Sequence, residues 1–238
     1  MGKHFVLIHG AWHTGETWSG VIKALASSGH TAEAPTMPGH GPGDDRRNIT
    51  LADYGRRVAE VVNRRPGKVV LVGHSSGGIM LQAATPLAAE KIERLIFLNA
   101  FIMPDGTAQL DLVPPDVARM MRQVAAADPE HCIPPDENFV RHVLVAGDPK
   151  SDQDRLLTCL VPQPVALLDT KVSTAGFNAL AIPKTVVFCR DDTSLPPGAY
   201  LGLAQNLGRF DLIEIPGGHE TFLFQPEVVA EALIKAVS

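Results

Sequence analysis

The residues best suited to chemistry lie in the segment 73–78, Gly-His-Ser-Ser-Gly-Gly. It directly follows the apolar run 68–72, so a buried strand is expected to enter a sharp turn and then a helix. In such a turn the backbone of Ser75 is strained, and its side chain projects above the sheet. The flanking glycines are needed because a Cβ would clash where strand and helix crowd together. The Ser75 hydroxyl is therefore a candidate nucleophile, provided that a histidine and an acid activate it.

The partners of this serine should lie at the carboxyl ends of other strands, where open α/β sheets bind their ligands. Asp191 and Asp192 follow one predicted strand, and His219 follows the next one along the chain. Together with Ser75 they have the order Ser, Asp, His, which is the order expected for this type of sheet and differs from the orders on other folds. The motif, the strand ends and the order together indicate a Ser-His-Asp triad.

The elements that must position these residues alternate between strands and helices. Predicted strands cover 4–8, 31–34, 68–72, 92–98, 185–189 and 210–215, and predicted helices cover 18–28, 51–64, 78–89, 198–207 and 227–237. Thr50 is expected to cap the helix over 51–64. Strands separated by helical patterns imply right-handed crossovers. The fold class is therefore α/β, with a mostly parallel, doubly wound sheet.

The alternation stops near Ala100 and resumes after Ile182. Nine prolines fall between these positions, with no convincing buried strand. Short helical patterns lie between the prolines, at 116–127, 137–145 and 152–160. Proline-rich turns separate such helices without ending the domain. We interpret 100–182 as a helical cap inserted into a core made of 1–99 and 183–238.

The composition is that of an ordinary globular protein. The 238 residues are 45% hydrophobic and 20% charged, with a net charge of −5 and a pI near 6.0. A net negative charge does not favour binding to nucleic acid or to an anionic membrane. No apolar run approaches the ~20 residues of a membrane helix. The four apolar residues 5–8 are too few for a secretory signal. We expect a cytoplasmic protein with neither nucleic acid nor membrane as a partner.

Neither metal nor cofactor is expected. The three cysteines are widely spaced and resemble buried free thiols of a reducing compartment. His40, His131 and His142 have no partners at metal-ligand spacing. The glycines 217–218 lack the Gly-x-Gly-x-x-Gly context of a dinucleotide site.

Five segments carry a resemblance to the α/β-hydrolase superfamily over essentially the whole chain. They are 3–13, 72–78, 97–101, 189–192 and 217–219. More narrowly, the chain resembles the plant methylesterase and hydroxynitrile-lyase group and the bacterial esterases close to it. Within the cap the likeness is limited to Leu-Val-Pro-Gln-Pro at 160–164, which is similar to the bacterial members. The resemblance implies an α/β-hydrolase fold with a helical cap.

The resemblance also implies a role for each matched polar residue. Ser75 would be the nucleophile, and His219 the general base that later acts as the acid. Asp192 would be the acid that orients the histidine, and Asp191 stays open as the alternative. No further residue is required for a triad of this kind.

The same resemblance places the oxyanion hole at the backbone N–H groups of Ala11 and Ser76. Ser76 also lies at a predicted helix N-terminus, where the helix dipole favours a developing negative charge. Gly10 and Trp12 are expected to contact the substrate, although simple packing explains Trp12 equally well. His9 and His74, which adjoin these segments, are interpreted as structural hydrogen-bonding residues.

Two residues separate the chain from the lyases of the group. Those lyases carry threonine at the position of Gly10 and lysine at the position of Glu220. The esterases have glycine at the first of these positions, as this chain does. Both residues therefore favour esterase chemistry over cyanide-handling chemistry.

The predicted function is cleavage of a small carboxylic ester, methyl- or aryl-ester-like, by a monomeric or homodimeric carboxylesterase-type serine hydrolase. Two alternatives stay open. One is a non-hydrolytic or carbon–carbon-bond-cleaving reaction on the same triad, since the fold hosts many chemistries. The other is a ligand-binding receptor on a hydrolase scaffold. Dehalogenase and epoxide-hydrolase chemistry are disfavoured because those relatives use aspartate at the position of Ser75.

Overall fold

A computed structural model describes residues 2–238 and places a six-stranded parallel sheet at the centre of the chain. The strands are β1 (His4–Ile8), β2 (Thr31–Glu33), β3 (Val69–His74), β4 (Ile92–Leu98), β5 (Cys132–Ile133), β6 (Gln163–Pro164), β7 (Lys184–Cys189) and β8 (Asp211–Ile215). The large sheet has the order β2-β1-β3-β4-β7-β8, while β5 and β6 form a separate antiparallel pair. The parallel sheet of the predicted α/β class is confirmed.

Helices cover both faces of this sheet. They are α1 (Ser19–Ser27), α2 (Leu51–Asn63), α3 (Gly77–Ala88), α4 (Pro115–Ala127), α5 (Glu137–Phe139), α6 (Lys150–Cys159), α7 (Ala166–Asp169), α8 (Ala175–Asn178), α9 (Ala199–Ala204), α10 (Thr221–Phe224) and α11 (Pro226–Lys235). The predicted cap of α2 is present, since the Asp53 amide donates to Thr50 Oγ1 and the Thr50 amide donates to Asp53 Oδ2. No helix among residues 2–238 has the length and apolarity to cross a bilayer.

Successive side chains of a strand point to opposite faces of the sheet, so the sheet separates two hydrophobic cores. In β3, Leu71 packs in the core that contains α2 and α3 residues, such as Tyr54. Its neighbours Val70 and Val72 pack in the opposite core, which contains Trp18 and residues of α1 and α11. Because β3 is buried on both faces, it has the continuous apolar sequence typical of a central parallel strand.

The strand order fixes where a ligand can bind. From β1 the chain first moves outward to β2 and then returns to β3 on the other side of β1. The carboxyl ends of β1 and β3 therefore flank a topological switch point, at which the loops diverge and leave a crevice. The loop at Gly10 follows β1, and Ser75 follows β3. The fold brings two of the predicted site segments together at this point.

The segment between β4 and β7 is mostly helical but differs in detail from the prediction. The two-residue strands β5 and β6 were not predicted, because two residues are too short to show any periodicity. The predicted helix 137–145 is α-helical only in α5 and continues as a π-helical turn over Val140–Leu144. The boundaries of a cap domain at 100 and 182 stay a prediction.

Candidate active site

Ser75 occupies the sharp turn between β3 and α3. Its φ is +52°, in the left-handed region that a residue other than glycine rarely adopts. The surroundings hold this conformation, since the Ser75 carbonyl accepts hydrogen bonds from the amides of Gly78 and Phe101, both at 3.0 Å. A Cβ on Gly77 would lie 2.8 Å from the carbonyl oxygen of Ile8, so glycine is required beside the turn. This is the strained geometry expected of a nucleophile elbow.

His219 and Asp192 form a buried hydrogen-bonded pair. Nδ1 of His219 donates to Oδ2 of Asp192 at 2.7 Å, and both side chains are almost fully buried. Burial acts to lower the pKa of His219, but the charge and hydrogen bond of Asp192 and the charge of Glu220 together outweigh it and raise that pKa. Burial acts to raise the pKa of Asp192, but His219 and hydrogen bonds from Ser194 outweigh it and hold that pKa well below its usual range. At neutral pH the carboxylate is charged and fixes Nδ1 as the protonated ring nitrogen.

Asp191 has a different position. Its Oδ2 accepts a hydrogen bond from the Gly217 amide at 2.8 Å, and 61% of its side chain is exposed. It supports the turn before His219 and makes no hydrogen bond to the imidazole. Of the two candidate acids, Asp192 is the one in contact with His219.

Asn99 is a buried residue of the site whose function the sequence analysis did not identify. It directly follows β4 and has a φ of +35°. Its Nδ2 donates to Oδ2 of Asp192, while its Oδ1 accepts from the Cys189 amide at 2.7 Å. Asn99 thus connects β4 to the end of β7 and holds the Asp192 carboxylate. A polar residue directly after a buried strand was the sequence signal that could have identified it.

Two hydroxyl groups complete the surroundings of this pair. Ser194 donates its amide N–H to Oδ1 of Asp192 at 2.8 Å, and its Oγ lies 3.2 Å from Nδ1 of His219. The Tyr200 hydroxyl lies 3.0 Å from Ser194 Oγ, and its ring stacks on the imidazole. Neither residue was predicted, because both lie in a loop and a helix without a recognisable motif.

The two predicted oxyanion donors have free amide groups. Within residues 2–238, the N–H groups of Ala11 and Ser76 donate to no other atom of the chain. The neighbouring Trp12 amide is already engaged, since it donates to Gln163 Oε1 at 3.0 Å. Ala11 and Ser76 line the same cavity as Ser75, and Ser76 immediately precedes α3. Both amides are thus available to a negatively charged oxygen near Ser75.

A cavity of about 360 Å³, here called the main cavity, contains Ser75 and His219. Its remaining wall is mostly apolar and comes largely from the segment between β4 and β7: Leu110, Val113, Val117, Met121, Phe139 and Leu168. This volume is within the usual range for small-molecule sites, which is roughly 300–1,000 Å³. An apolar wall with few polar groups suits an uncharged organic molecule.

Trp12 and Gly10 occupy different parts of the site. Trp12 lines the main cavity, and its indole N–H donates to the Ile133 carbonyl at 3.0 Å. Gly10 lies against the nucleophile, because a Cβ there would be 2.8 Å from Cβ of Ser75. A threonine at Gly10 would therefore require Ser75 to move. That Gly10 and Trp12 contact substrate stays a prediction.

His9 and His74 have the structural hydrogen bonds expected of them. His9 donates from Nδ1 to the Gly10 carbonyl at 2.9 Å and accepts from the Met37 amide at Nε2. His74 donates from Nε2 to the His219 carbonyl at 3.0 Å. Burial, together with the nearby imidazole of His219, lowers the pKa of His74 to about 3, so His74 is neutral.

His13 and Glu220 form a second buried pair, which was not predicted. Nε2 of His13 lies 3.2 Å from Oε2 of Glu220, and both residues line the main cavity. Burial opposes both charges, but each partner outweighs it: the pKa of His13 is raised, and that of Glu220 is lowered to about 2. The pair is therefore ionised. Its two residues are 207 positions apart in sequence, so no local motif could indicate the contact.

The structure contains few other reactive groups. The three cysteines are free, and burial raises the pKa of the Cys189 thiol to about 12. Over residues 2–238, no three His, Cys, Asp or Glu side chains are grouped so as to hold a metal ion. Ala11, Ser75, Ser76 and His219 line one cavity, and His219 is hydrogen-bonded to Asp192.

Known proteins share both the sequence and the architecture of this chain. A sequence model described as "Alpha/beta hydrolase family" matches residues 5–232. A carbendazim hydrolyzing esterase from Nocardioides sp. (strain SG-4G) is 29% identical over 240 residues, covering 97% of this chain and 98% of that protein. Salicylic acid-binding protein 2 from Nicotiana tabacum is 28% identical over 256 residues, covering 98% and 96%.

Among solved structures, an extracellular alpha/beta-hydrolase from a Paenibacillus species superposes with a TM-score of 0.92 at 29% identity, covering 98% of both chains. These similarities confirm the resemblance and the fold class predicted from the sequence, and relatives named as esterases support an enzyme of the esterase-type hydrolase class. The chain belongs to the alpha/beta hydrolase family.

Proposed function

We propose that this hydrolase cleaves a small carboxylic ester, methyl- or aryl-ester-like, through an acyl-enzyme formed on Ser75. The observation that carries the proposal is the buried hydrogen bond from His219 Nδ1 to Asp192, in a cavity that also contains the strained Ser75. With Nδ1 protonated, Nε2 of His219 is the nitrogen able to accept a proton. This is the tautomer that a general base for a serine hydroxyl needs.

The first half of the reaction forms the acyl-enzyme. Ser75 Oγ attacks the ester carbonyl carbon while its proton passes to Nε2 of His219, and the carbonyl oxygen becomes an oxyanion. The amides of Ala11 and Ser76 donate to that oxyanion, each contributing about 3 kcal/mol to the stability of the transition state. The imidazolium then gives its proton to the ester oxygen as the carbon–oxygen bond breaks, and the alcohol leaves.

The second half releases the acid. A water molecule attacks the acyl carbon while His219 takes its proton, and the same amides stabilise the second tetrahedral intermediate. Collapse of this intermediate breaks the bond to Ser75 Oγ, which recovers the proton from His219. Asp192 stays ionised throughout and stabilises the imidazolium in both halves.

Two observations favour ester hydrolysis over the alternatives. No space exists for a threonine side chain at Gly10 without displacement of Ser75, which separates the site from the lyases of the group. The relative from Nocardioides is named an esterase, and the similarity extends over 97% of this chain. The small-molecule substrate, the monomeric or homodimeric state and the cytoplasmic location stay predictions.

The test compares the wild-type protein with Ser75→Ala on p-nitrophenyl acetate and on methyl esters, with acid and alcohol quantified separately. Loss of the nucleophile should lower turnover by about 10⁵-fold or more with an unchanged melting temperature. The exposed Ser28→Ala serves as a control and should retain wild-type turnover.

Three other results would contradict the proposal. Near-wild-type turnover in Ser75→Ala would exclude Ser75 as the nucleophile. Saturable ester binding by the wild type without turnover would identify a receptor. Substrate loss without release of acid and alcohol would identify a non-hydrolytic enzyme.

A further inference from the structure

A second cavity lies next to the main cavity. It has a volume of about 280 Å³ and is here called the polar cavity. Its wall consists of Leu144, Ala146, Gly147, Asp148, Asp191, Thr193, Gly217, Gly218 and His219. Leu144 and His219 are the two residues that line both cavities. These two side chains therefore form the boundary between the cavities.

The position of His219 determines which part of an ester faces this boundary. In the proposed mechanism, His219 protonates the leaving oxygen, so that oxygen must lie within hydrogen-bonding reach of the imidazole. The carbon atoms of the alcohol continue from that oxygen on the side of His219. The acyl group is attached to the opposite side of the reacting carbon and has the apolar wall of the main cavity available to it.

Leu144 is held firmly at this boundary. It is the last residue of the π-helical turn Val140–Leu144, in which the Val145 amide donates to the Val140 carbonyl at 3.0 Å. Turns of this kind occur frequently at functional sites, because they re-aim a side chain within a helix. Leu144 is 8% exposed and lines both cavities, so it is part of the wall between them.

The polar cavity differs in chemistry from the main cavity. Asp148, which is half-buried, and Asp191 both line it. Gly218 lies opposite Asp148, since a Cβ on Gly218 would be in van der Waals contact with Asp148 Oδ2 at 3.6 Å. A group that entered this space would meet two carboxylates rather than an apolar surface.

We propose that Leu144 limits the size of the alcohol part of the ester by closing the main cavity against the polar cavity behind His219. The inference rests on the proposed ester hydrolysis and adds the residue that sets its alcohol specificity. The wild-type enzyme accordingly favours esters of methanol over esters of bulky, branched alcohols. Shortening Leu144 joins the two cavities and admits a larger alcohol into acidic surroundings.

The experiment measures kcat/KM by proton release for three acetates, those of methanol, 3,3-dimethylbutanol and choline. The last two have the same shape and differ in charge. Methyl hexanoate serves as a probe with a larger acyl group.

The variants are Leu144→Ala, the milder Leu144→Val, and Leu168→Ala as a matched control. Leu168 is a buried leucine that lines the main cavity and not the polar one.

In Leu144→Ala, kcat/KM for 3,3-dimethylbutyl acetate relative to methyl acetate should rise about tenfold or more, as expected when a pocket wall is removed. Choline acetate should gain more than its neutral isostere because of Asp148 and Asp191. Leu144→Val should show a smaller rise in the same direction, which keeps the test decisive if the alanine variant does not fold. In Leu168→Ala, the ratio of kcat/KM for 3,3-dimethylbutyl acetate to that for methyl acetate should stay within about twofold of the wild-type ratio.

Two results would overturn the assignment while the proposed function survives. One is a folded Leu144→Ala enzyme in which kcat/KM for the two larger acetates, relative to methyl acetate, equals that of the wild type. The other is a gain for methyl hexanoate alone, which would place Leu144 against the acyl group. Absence of turnover on every ester by the wild type would instead overturn the proposed function, and this inference with it.

Discussion

Nε2 of His13 lies 3.2 Å from the Glu220 carboxylate, and both side chains are buried next to His219. Within residues 2–238, neither carboxylate oxygen of Glu220 has a partner that meets hydrogen-bond geometry. The pair is therefore held by charge attraction rather than by an aligned hydrogen bond. An ionised pair removed from water carries a desolvation cost, so its contribution to stability depends on both charges being present.

The Glu220→Gln variant should reveal the pH range in which this pair stabilises the fold. The pKa of Glu220 is lowered to about 2, so its contribution is present above the unfolded value of 4.5 and is lost as the pH falls toward 2. The pKa of His13 is raised above 6.5, so its contribution is present below 6.5 and is lost as the pH rises through the folded value. The pair therefore stabilises most between these two ordinary values.

We expect Glu220→Gln to reduce the free energy of unfolding by about 1–3 kcal/mol near pH 5.5, with a melting temperature lower by about 2–4 °C for each kcal/mol. The difference from wild type should shrink near about pH 3, and again at a pH above the raised folded-state pKa of His13. Thermal denaturation at the three pH values checks this, with the exposed Glu231→Gln as control. A difference that is equal at all three values would show that the pair is not ionised.

Asp192→Asn should impair catalysis far more than Asp191→Asn. The first change removes the carboxylate that accepts from His219 Nδ1 and should lower kcat by about 10³–10⁴-fold. The second keeps an acceptor oxygen for the Gly217 amide and removes the charge of an exposed side chain, so its loss should stay within about tenfold. Steady-state kinetics of both variants on one ester checks this. A greater loss in Asp191→Asn would reverse the assignment of the acid.

Asn99 has two features that can be tested separately by substitution. Its side-chain amide holds the Asp192 carboxylate, and its backbone has a φ of +35°. Asn99→Gly and Asn99→Ala both remove the hydrogen bond to a charged carboxylate, worth about 1.5–3 kcal/mol, and should lower kcat by about 10- to 100-fold. Both variants should melt lower, since the Cys189 amide loses its acceptor, and the alanine variant should melt lower than the glycine variant, because glycine adopts a positive φ at no steric cost. Wild-type kcat in Asn99→Gly would show that Asn99 does not position Asp192.

The pH dependence of kcat/KM should report the state of His219. The imidazole must be neutral to accept the Ser75 proton, and Asp192 raises its pKa. Activity should therefore fall as the pH decreases through a value above the ordinary 6.5. In Asp192→Asn this fall in the residual activity should occur at a lower pH. The reason is that the carboxylate charge of Asp192, which raises the pKa of His219, is gone. A fall at the same pH in both proteins would assign the titration to another group.

Local patterns predicted most of the scaffold. The buried runs of β1, β3 and β4 were identified from continuous apolar residues, because a central parallel strand is covered on both faces. The helical period predicted α2 together with its Thr50 cap, since apolar spacing and capping chemistry are both local. Short elements such as α7, α8 and α10 were missed because four residues do not complete a recognisable period.

The site was predictable to the extent that its residues lie in local motifs or at strand ends. Ser75 met both conditions, Asp192 and His219 lie at strand ends, and the structure brings Asp192 and His219 into contact. The contact between Asn99 and Asp192 spans 93 positions, and that between His13 and Glu220 joins two different loops. Such contacts depend on how the strands are ordered in the sheet, which no local pattern encodes.

Covalent labelling tests the central claim most directly. The wild-type protein is treated with an active-serine phosphonate, digested and analysed by mass spectrometry, in parallel with a stopped-flow assay on p-nitrophenyl acetate. We predict one phosphonate per chain, located on Ser75, loss of ester turnover in proportion to labelling, and a burst of p-nitrophenol that labelling abolishes. An unlabelled Ser75 in a protein that still turns over esters, or labelling of Ser75 without loss of turnover, would contradict the account.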